Sequence, residues 1–127
     1  MKFQFTNGKF ETQFGDERLT IARNNEEGIR PFQLLISSMA GCSGLVFNQI
    51  IEKQRIELDE FYISADYERN EAESNRVEKI ILTFHIKGKD LNEEKLQRNL
   101  QLTRKNCAMI RSVDDSIEII EQLNILD

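Results

Sequence analysis

The chain opens with alternation. Lys2-Phe3-Gln4-Phe5 places polar and apolar side chains on opposite faces and runs into Asn7-Gly8, a pair suited to a two-residue hairpin turn. Lys9 to Phe14 returns as a second strand, Gly15-Asp16-Glu17 turns again, and Leu19-Thr20-Ile21-Ala22 forms a third. A polar stretch, Asn24 to Gly28, reads as a loop. Pro31 changes the pattern, because proline favours the first turn of a helix. From Pro31 to Ile51 there is no formal charge, and Phe32, Leu34, Leu35, Ile36, Met39, Leu45, Val46, Phe47, Ile50 and Ile51 cover most of the helical circumference. A helix apolar nearly all round is buried or spans a membrane. Gln33, Ser37, Ser38, Ser43, Asn48 and Gln49 are too polar for a span, so the expectation is a long buried central helix ending in Glu52-Lys53-Gln54-Arg55.

The middle of that helix, Ser37 to Gly44, consists mostly of small side chains. Each glycine inside a helix costs about 1 kcal/mol relative to alanine. Either another backbone approaches closely, such as the same helix of a second subunit, or the helix breaks at Gly41-Cys42.

Two longer strands follow. Leu58 to Glu68 carries Phe61, Ile63, Ala65 and Tyr67 at alternate positions, and Val77 to Lys87 carries Val77, Ile80, Leu82, Phe84 and Ile86 with an irregularity near Lys79-Ile80. Arg69 to Arg76 joins them as a long hairpin loop. Asn92 is suited to cap a second helix, with Glu93 and Glu94 at its positive end and Leu96, Leu100, Thr103 and Cys107 on one face. Ser116 to Glu121 alternates like an edge strand, although Asp114-Asp115-Ser116 also suits a helix start. No internal repeat or second domain is visible, so residues 1–127 read as a single α+β domain with an N-terminal β-hairpin and antiparallel strands.

Composition narrows the partners. The net charge of −5 argues against nucleic acid and anionic membranes, because it offers phosphate no electrostatic attraction. The nearest basic cluster, Arg98, Arg104, Lys105 and Arg111, reads as the solvated face of a helix. MKFQFTNGKF holds no apolar core of a secretory signal, and the two cysteines then point to the cytosol, where thiols stay reduced. Two Cys and one His are too few for a structural zinc site, and no cofactor is expected. His85, between Phe84 and Ile86 in a strand-like run, reads as structural.

Cys42 and Cys107 carry the candidate chemistry. Free cysteines are often buried for packing alone. The functional reading is a reactive thiol with a second thiol to resolve its sulfenic acid as a disulfide. Such chemistry needs a thiolate stabilised by a cation or a helix N-terminus. Asn106 is placed to cap a short helix starting at Cys107.

Pro31-Phe-Gln-Leu-Leu-Ile-Ser-Ser-Met-Ala-Gly-Cys42-Ser resembles the first motif of the OsmC/Ohr superfamily: a proline, a run of small and apolar residues, and a cysteine eleven positions on. Asn106-Cys107-Ala-Met-Ile resembles its second motif, and the order of elements is similar along nearly the whole chain. The resemblance implies an intertwined α+β homodimer with thiol sites at the subunit interface. It implies reduction of organic hydroperoxides or peroxide, Cys42 attacking and Cys107 resolving, with a dithiol such as a lipoyl group as reductant. In the best-studied branch an arginine and a glutamate activate the first thiolate. Phe32, followed by Gln33, stands where that glutamate follows the proline, and Lys9 stands in place of the arginine. Arg18, Arg23 and Arg30 are nearby substitutes for the cation, and Glu26 or Glu27 for the carboxylate. These departures resemble the OsmC-like branch more than the organic hydroperoxide resistance branch. The alternative is a binding protein, with Phe32, Met39, Phe47 and Met109 around a pocket for a small hydrophobic ligand.

Overall fold

A computed structural model describes all residues, 1–127. They form two compact units, Met1–Ser37 and Ser38–Asp127. The fold is α+β, with strands and helices interspersed along the chain.

The first unit is a three-stranded antiparallel sheet followed by a helix start. Strands β1 (Gln4–Thr6), β2 (Lys9–Phe14) and β3 (Glu17–Ile21) lie in the order β1-β2-β3. Asn7 and Gly8 both have positive φ, 52° and 82°, the combination that lets two residues reverse the chain between twisted strands. After β3 the chain doubles back on itself. The Ala22 N–H donates to the Ile29 carbonyl (3.0 Å), and the Ile29 N–H to that of Thr20 (2.9 Å). Gly28 permits this approach, since a Cβ there would lie 2.7 Å from the Thr20 carbonyl oxygen.

Helix α1 (Pro31–Lys53) starts as its sequence predicts and is unbroken at Gly41-Cys42. Pro31 holds the first helical position, and the Gln33 side-chain oxygen reaches back to the Arg30 backbone N–H at 3.0 Å, half of a capping box. The helix ends on Arg55 in the left-handed region (φ 57°), with the Ile56 N–H donating to the Ile51 carbonyl. The expectation of burial all round needs correction for the single chain. Ile36, Met39, Ser43, Phe47 and Ile51 form one buried stripe at helical spacing, whereas Leu45 is 70% exposed.

In the second unit, strands β4 (Glu60–Asn70) and β5 (Arg76–Lys87) pair antiparallel, joined by a 3₁₀ turn at Glu71–Glu73. The register slips where Glu68 opposes Lys79 and Arg69 opposes Val77, which leaves Glu78 as the extra residue. Helix α2 (Glu93–Asn106) is capped by Asn92, whose side chain accepts from the Lys95 N–H at 3.0 Å. Helix α3 (Ala108–Val113) follows directly, and β6 (Glu118–Ile125) completes the sheet in the order β4-β5-β6.

The final segment is thus a strand. The sheet is mixed rather than wholly antiparallel, because β6 runs parallel to β5. A parallel neighbour needs a crossover connection, and α2 with α3 supplies it. The core of this unit lies between α1 and the sheet. Phe47, fully buried, packs against Phe61 and Phe84 at ring-centroid distances of 5.4 and 5.2 Å. His85 is structural: its ring stacks on Tyr62 at 4.5 Å, with Nε2 2.8 Å from the Ser64 hydroxyl and Nδ1 2.9 Å from the Asn124 amide.

Candidate functional site

Cys42 sits half-buried in mid-α1, and Cys107 is fully buried at the break between α2 and α3. Although far apart in sequence, the two thiols are in contact, and both are free. Cys107 occupies the cap position of α3 itself, whereas the Asn106 amide turns back to donate to the Leu102 carbonyl at 2.8 Å. The cap expected from Asn106 therefore falls one residue later. This change places the sulfur before the Ile110 and Met109 backbone N–H groups. Those dipoles favour the thiolate, but burial outweighs them, and the neighbouring Cys42 adds to the effect of burial. The Cys107 thiol is pushed up to about 11, so it holds its proton at neutral pH.

The residue after Cys42 supplies a second feature. Ser43 is fully buried and its hydroxyl donates to Oε2 of Glu121 on β6. Burial raises the Glu121 pKa above its ordinary 4.5, against opposing pulls from the Ser43 hydroxyl and the Arg104 guanidinium. Arg104 itself turns inward and donates to the Ile119 carbonyl, so it does not belong to the solvated face expected of the basic cluster. Sequence reading passed over Glu121. Its signal is positional: Ile117 and Ile119 are buried, and Glu121 follows in the same alternating register, an acidic residue where the pattern asks for an apolar one.

The remaining candidates divide between the two units. In the first, Lys9 is half-buried at the start of β2 and Arg23 is exposed. The Arg30 guanidinium lies over the Phe32 ring, 4.8 Å from its centroid. Gln33 is committed to the helix cap, and its amide donates to the Asn25 side-chain oxygen at 3.1 Å. Glu26 and Glu27 sit on an exposed turn whose backbone N–H groups are taken by the Asn24 side chain. In the second unit, Met39 and Phe47 are core side chains, while Met109 is exposed. No group of three or more His, Cys, Asp or Glu side chains converges as metal ligands would.

Comparison with known proteins gives one family and many solved folds. The family described as OsmC-like protein matches residues 24–122. A search of curated proteins found no match. A hypothetical protein from Aquifex aeolicus VF5 superimposes with a TM-score of 0.87 at 21% identity, covering 98% of this chain and 93% of that one. An OsmC-like protein from Mycoplasma pneumoniae gives 0.83 at 14% identity, covering 100% and 99%. The organic hydroperoxide resistance protein OhrB of Bacillus subtilis gives 0.65 at 18% identity, covering 97% and 95%. At these identities the likeness is one of fold.

Proposed function

The chain belongs to the OsmC-like protein family, and from that premise we propose that it is a cytosolic thiol peroxidase acting on organic hydroperoxides, with Cys42 as nucleophile and Cys107 as resolving thiol. The contact between the two thiols is the observation that carries this reading. The Cys42 thiolate attacks the outer peroxide oxygen, the O–O bond breaks, and the departing alkoxide takes up a proton to leave as the alcohol. Cys42 is then a sulfenic acid. The Cys107 sulfur attacks it, a disulfide forms, and water leaves with the Cys107 proton. An external dithiol returns both cysteines to thiols by exchange.

The division of labour follows from the environments. Cys107 is fully buried and firmly protonated, a poor first nucleophile. Cys42 is the more accessible of the two. The site is read as part of a homodimer: on α1, Leu45 is 70% exposed, and nothing within 4 Å would meet a Cβ at Gly41, so that face is open to a second copy.

The test is consumption of cumene hydroperoxide by the reduced protein with dihydrolipoamide as donor. Turnover that vanishes in Cys42→Ser supports the reading, and in Cys107→Ser a single peroxide equivalent leaves a sulfenic acid trappable by dimedone. Absence of turnover with both thiols inert to peroxide overturns it in favour of a binding protein.

A further inference from the structure

Beside the thiol pair, on the side of Glu121, α2 and β6 enclose a cavity of about 310 Å³ lined by Gln97, Leu100, Gln101, Arg104 and Glu121. That volume is at the lower end of the range for small-molecule sites. Ser43 occupies only Oε2 of Glu121. Oε1 is the one buried side-chain oxygen or nitrogen in the chain without a hydrogen-bond partner. Buried polar atoms are nearly always paired, so an orphan at a cavity wall calls for an occupant. We propose that this cavity binds a small organic carboxylate, gripped between Arg104 and Glu121 with its apolar portion against Leu100.

Charge and donor count select this class of ligand. The Arg104 guanidinium is anchored by its bond to the Ile119 carbonyl and has further N–H groups in a planar fork that matches a carboxylate. Gln97 and Gln101 add amide donors at the rim. Glu121, held toward its protonated form by burial, has a proton to donate rather than a charge to repel. A cation would meet the guanidinium, and a neutral ligand would leave that charge unanswered. A bound carboxylate accepts from Arg104 and from the Glu121 carboxyl, both charge-assisted hydrogen bonds. Leu100, 4% exposed, gives the apolar wall.

The arrangement sets a sign for the pH dependence. Arg104 from α2 is the charged group whose field reaches Glu121, Ser43 faces it from α1, and Leu82 is its pairing partner on β5. The site takes the ligand ionised and Glu121 protonated. Affinity therefore falls as pH rises through the Glu121 pKa, which lies above 4.5.

The site is tested on the full chain by amide NMR titration with benzoate, benzyl alcohol and sulfate at about pH 6 and about pH 8.5. Saturable shifts confined to residues around Gln101, Arg104 and Glu121, with benzoate Kd near 1 mM at the lower pH, are expected. The affinity weakens about tenfold or more at the higher pH. Arg104→Lys keeps the charge, loses the fork and weakens binding. Glu121→Gln donates an amide N–H in place of the acid proton, so it retains benzoate and loses the pH dependence. The preserved spectrum reports that each variant is folded. Absence of saturable shifts overturns the proposal. Benzyl alcohol binding as tightly as benzoate reduces the site to an apolar cleft, sulfate binding as tightly reduces it to an anion patch, and equal benzoate affinity at both pH values removes Glu121; each overturns it as well.

Discussion

The Ser43 hydroxyl donates to the carboxyl of Glu121, 78 residues away, and so ties the helix that carries Cys42 to the last strand of the sheet. Ser43 is fully buried and Glu121 has one further oxygen without a partner. Removing the hydroxyl leaves the whole carboxyl unpaired in a partly buried place. Ser43→Ala is expected to destabilise the fold by about 1–3 kcal/mol, read from the urea midpoint at constant m. An unchanged midpoint would mean that water replaces the hydroxyl at no cost.

The same carboxyl gives the fold a pH dependence. Its folded-state pKa is raised above 4.5 by burial, so the folded state binds the proton more tightly than the unfolded state does. The stability this contributes is fully present below 4.5 and is lost as pH rises through the folded-state pKa. Glu121→Gln carries no such proton. Its stability relative to the parent is expected to climb as pH rises from about 4.5, then to level off, in paired denaturation curves across that window. A difference that stays flat would show that Glu121 ionises as it does in water.

How far the sequence announced this fold differs by element. Pro31, the uncharged run to Ile51 and the Asn92 cap are local signals, and α1 and α2 begin where they predict. The alternation of β4 and β5 was equally plain, because one face is buried against α1 and the other is solvated. Direction is not local. Nothing in Glu118–Ile125 tells whether it pairs parallel or antiparallel, since that depends on the crossover before it. At the site, the two cysteine motifs were legible, whereas Glu121 and Arg104 were not: a charged side chain is read as solvated until its neighbours across the fold are known.

The two helix glycines separate on their surroundings. A Cβ at Gly44 would lie 3.0 Å from Cδ1 of Ile63, the far end of a flexible side chain, so the close neighbour is a β4 side chain and not another backbone. A Cβ at Gly41 would meet nothing within 4 Å of this chain. Alanine gains about 1 kcal/mol over glycine in a helix interior. Gly41→Ala is expected to raise stability by about 0.5–1 kcal/mol, and Gly44→Ala to sit near zero as crowding offsets propensity. Chemical denaturation of both variants checks the order. A loss at Gly41 would place the backbone of a second copy there.

The contact between Cys42 and Cys107 predicts unequal thiol reactivity. Alkylation proceeds through the thiolate. At pH 8 a thiol with a pKa of about 11 is ionised in roughly one molecule per thousand, and Cys107 is also sealed from solvent at 0% exposure. Iodoacetamide is therefore expected to modify Cys42 about a hundredfold or more faster than Cys107 in the folded protein, with the sites resolved by peptide mass mapping. Cys42→Ser removes a neighbour that raises the Cys107 pKa but leaves burial, the larger cause, in place. Cys107 should thus stay slow in that variant and become fast only in denaturant. Comparable rates at both sites in the native protein would mean that Cys107 is opened by local unfolding, and either cysteine would then be competent to attack first.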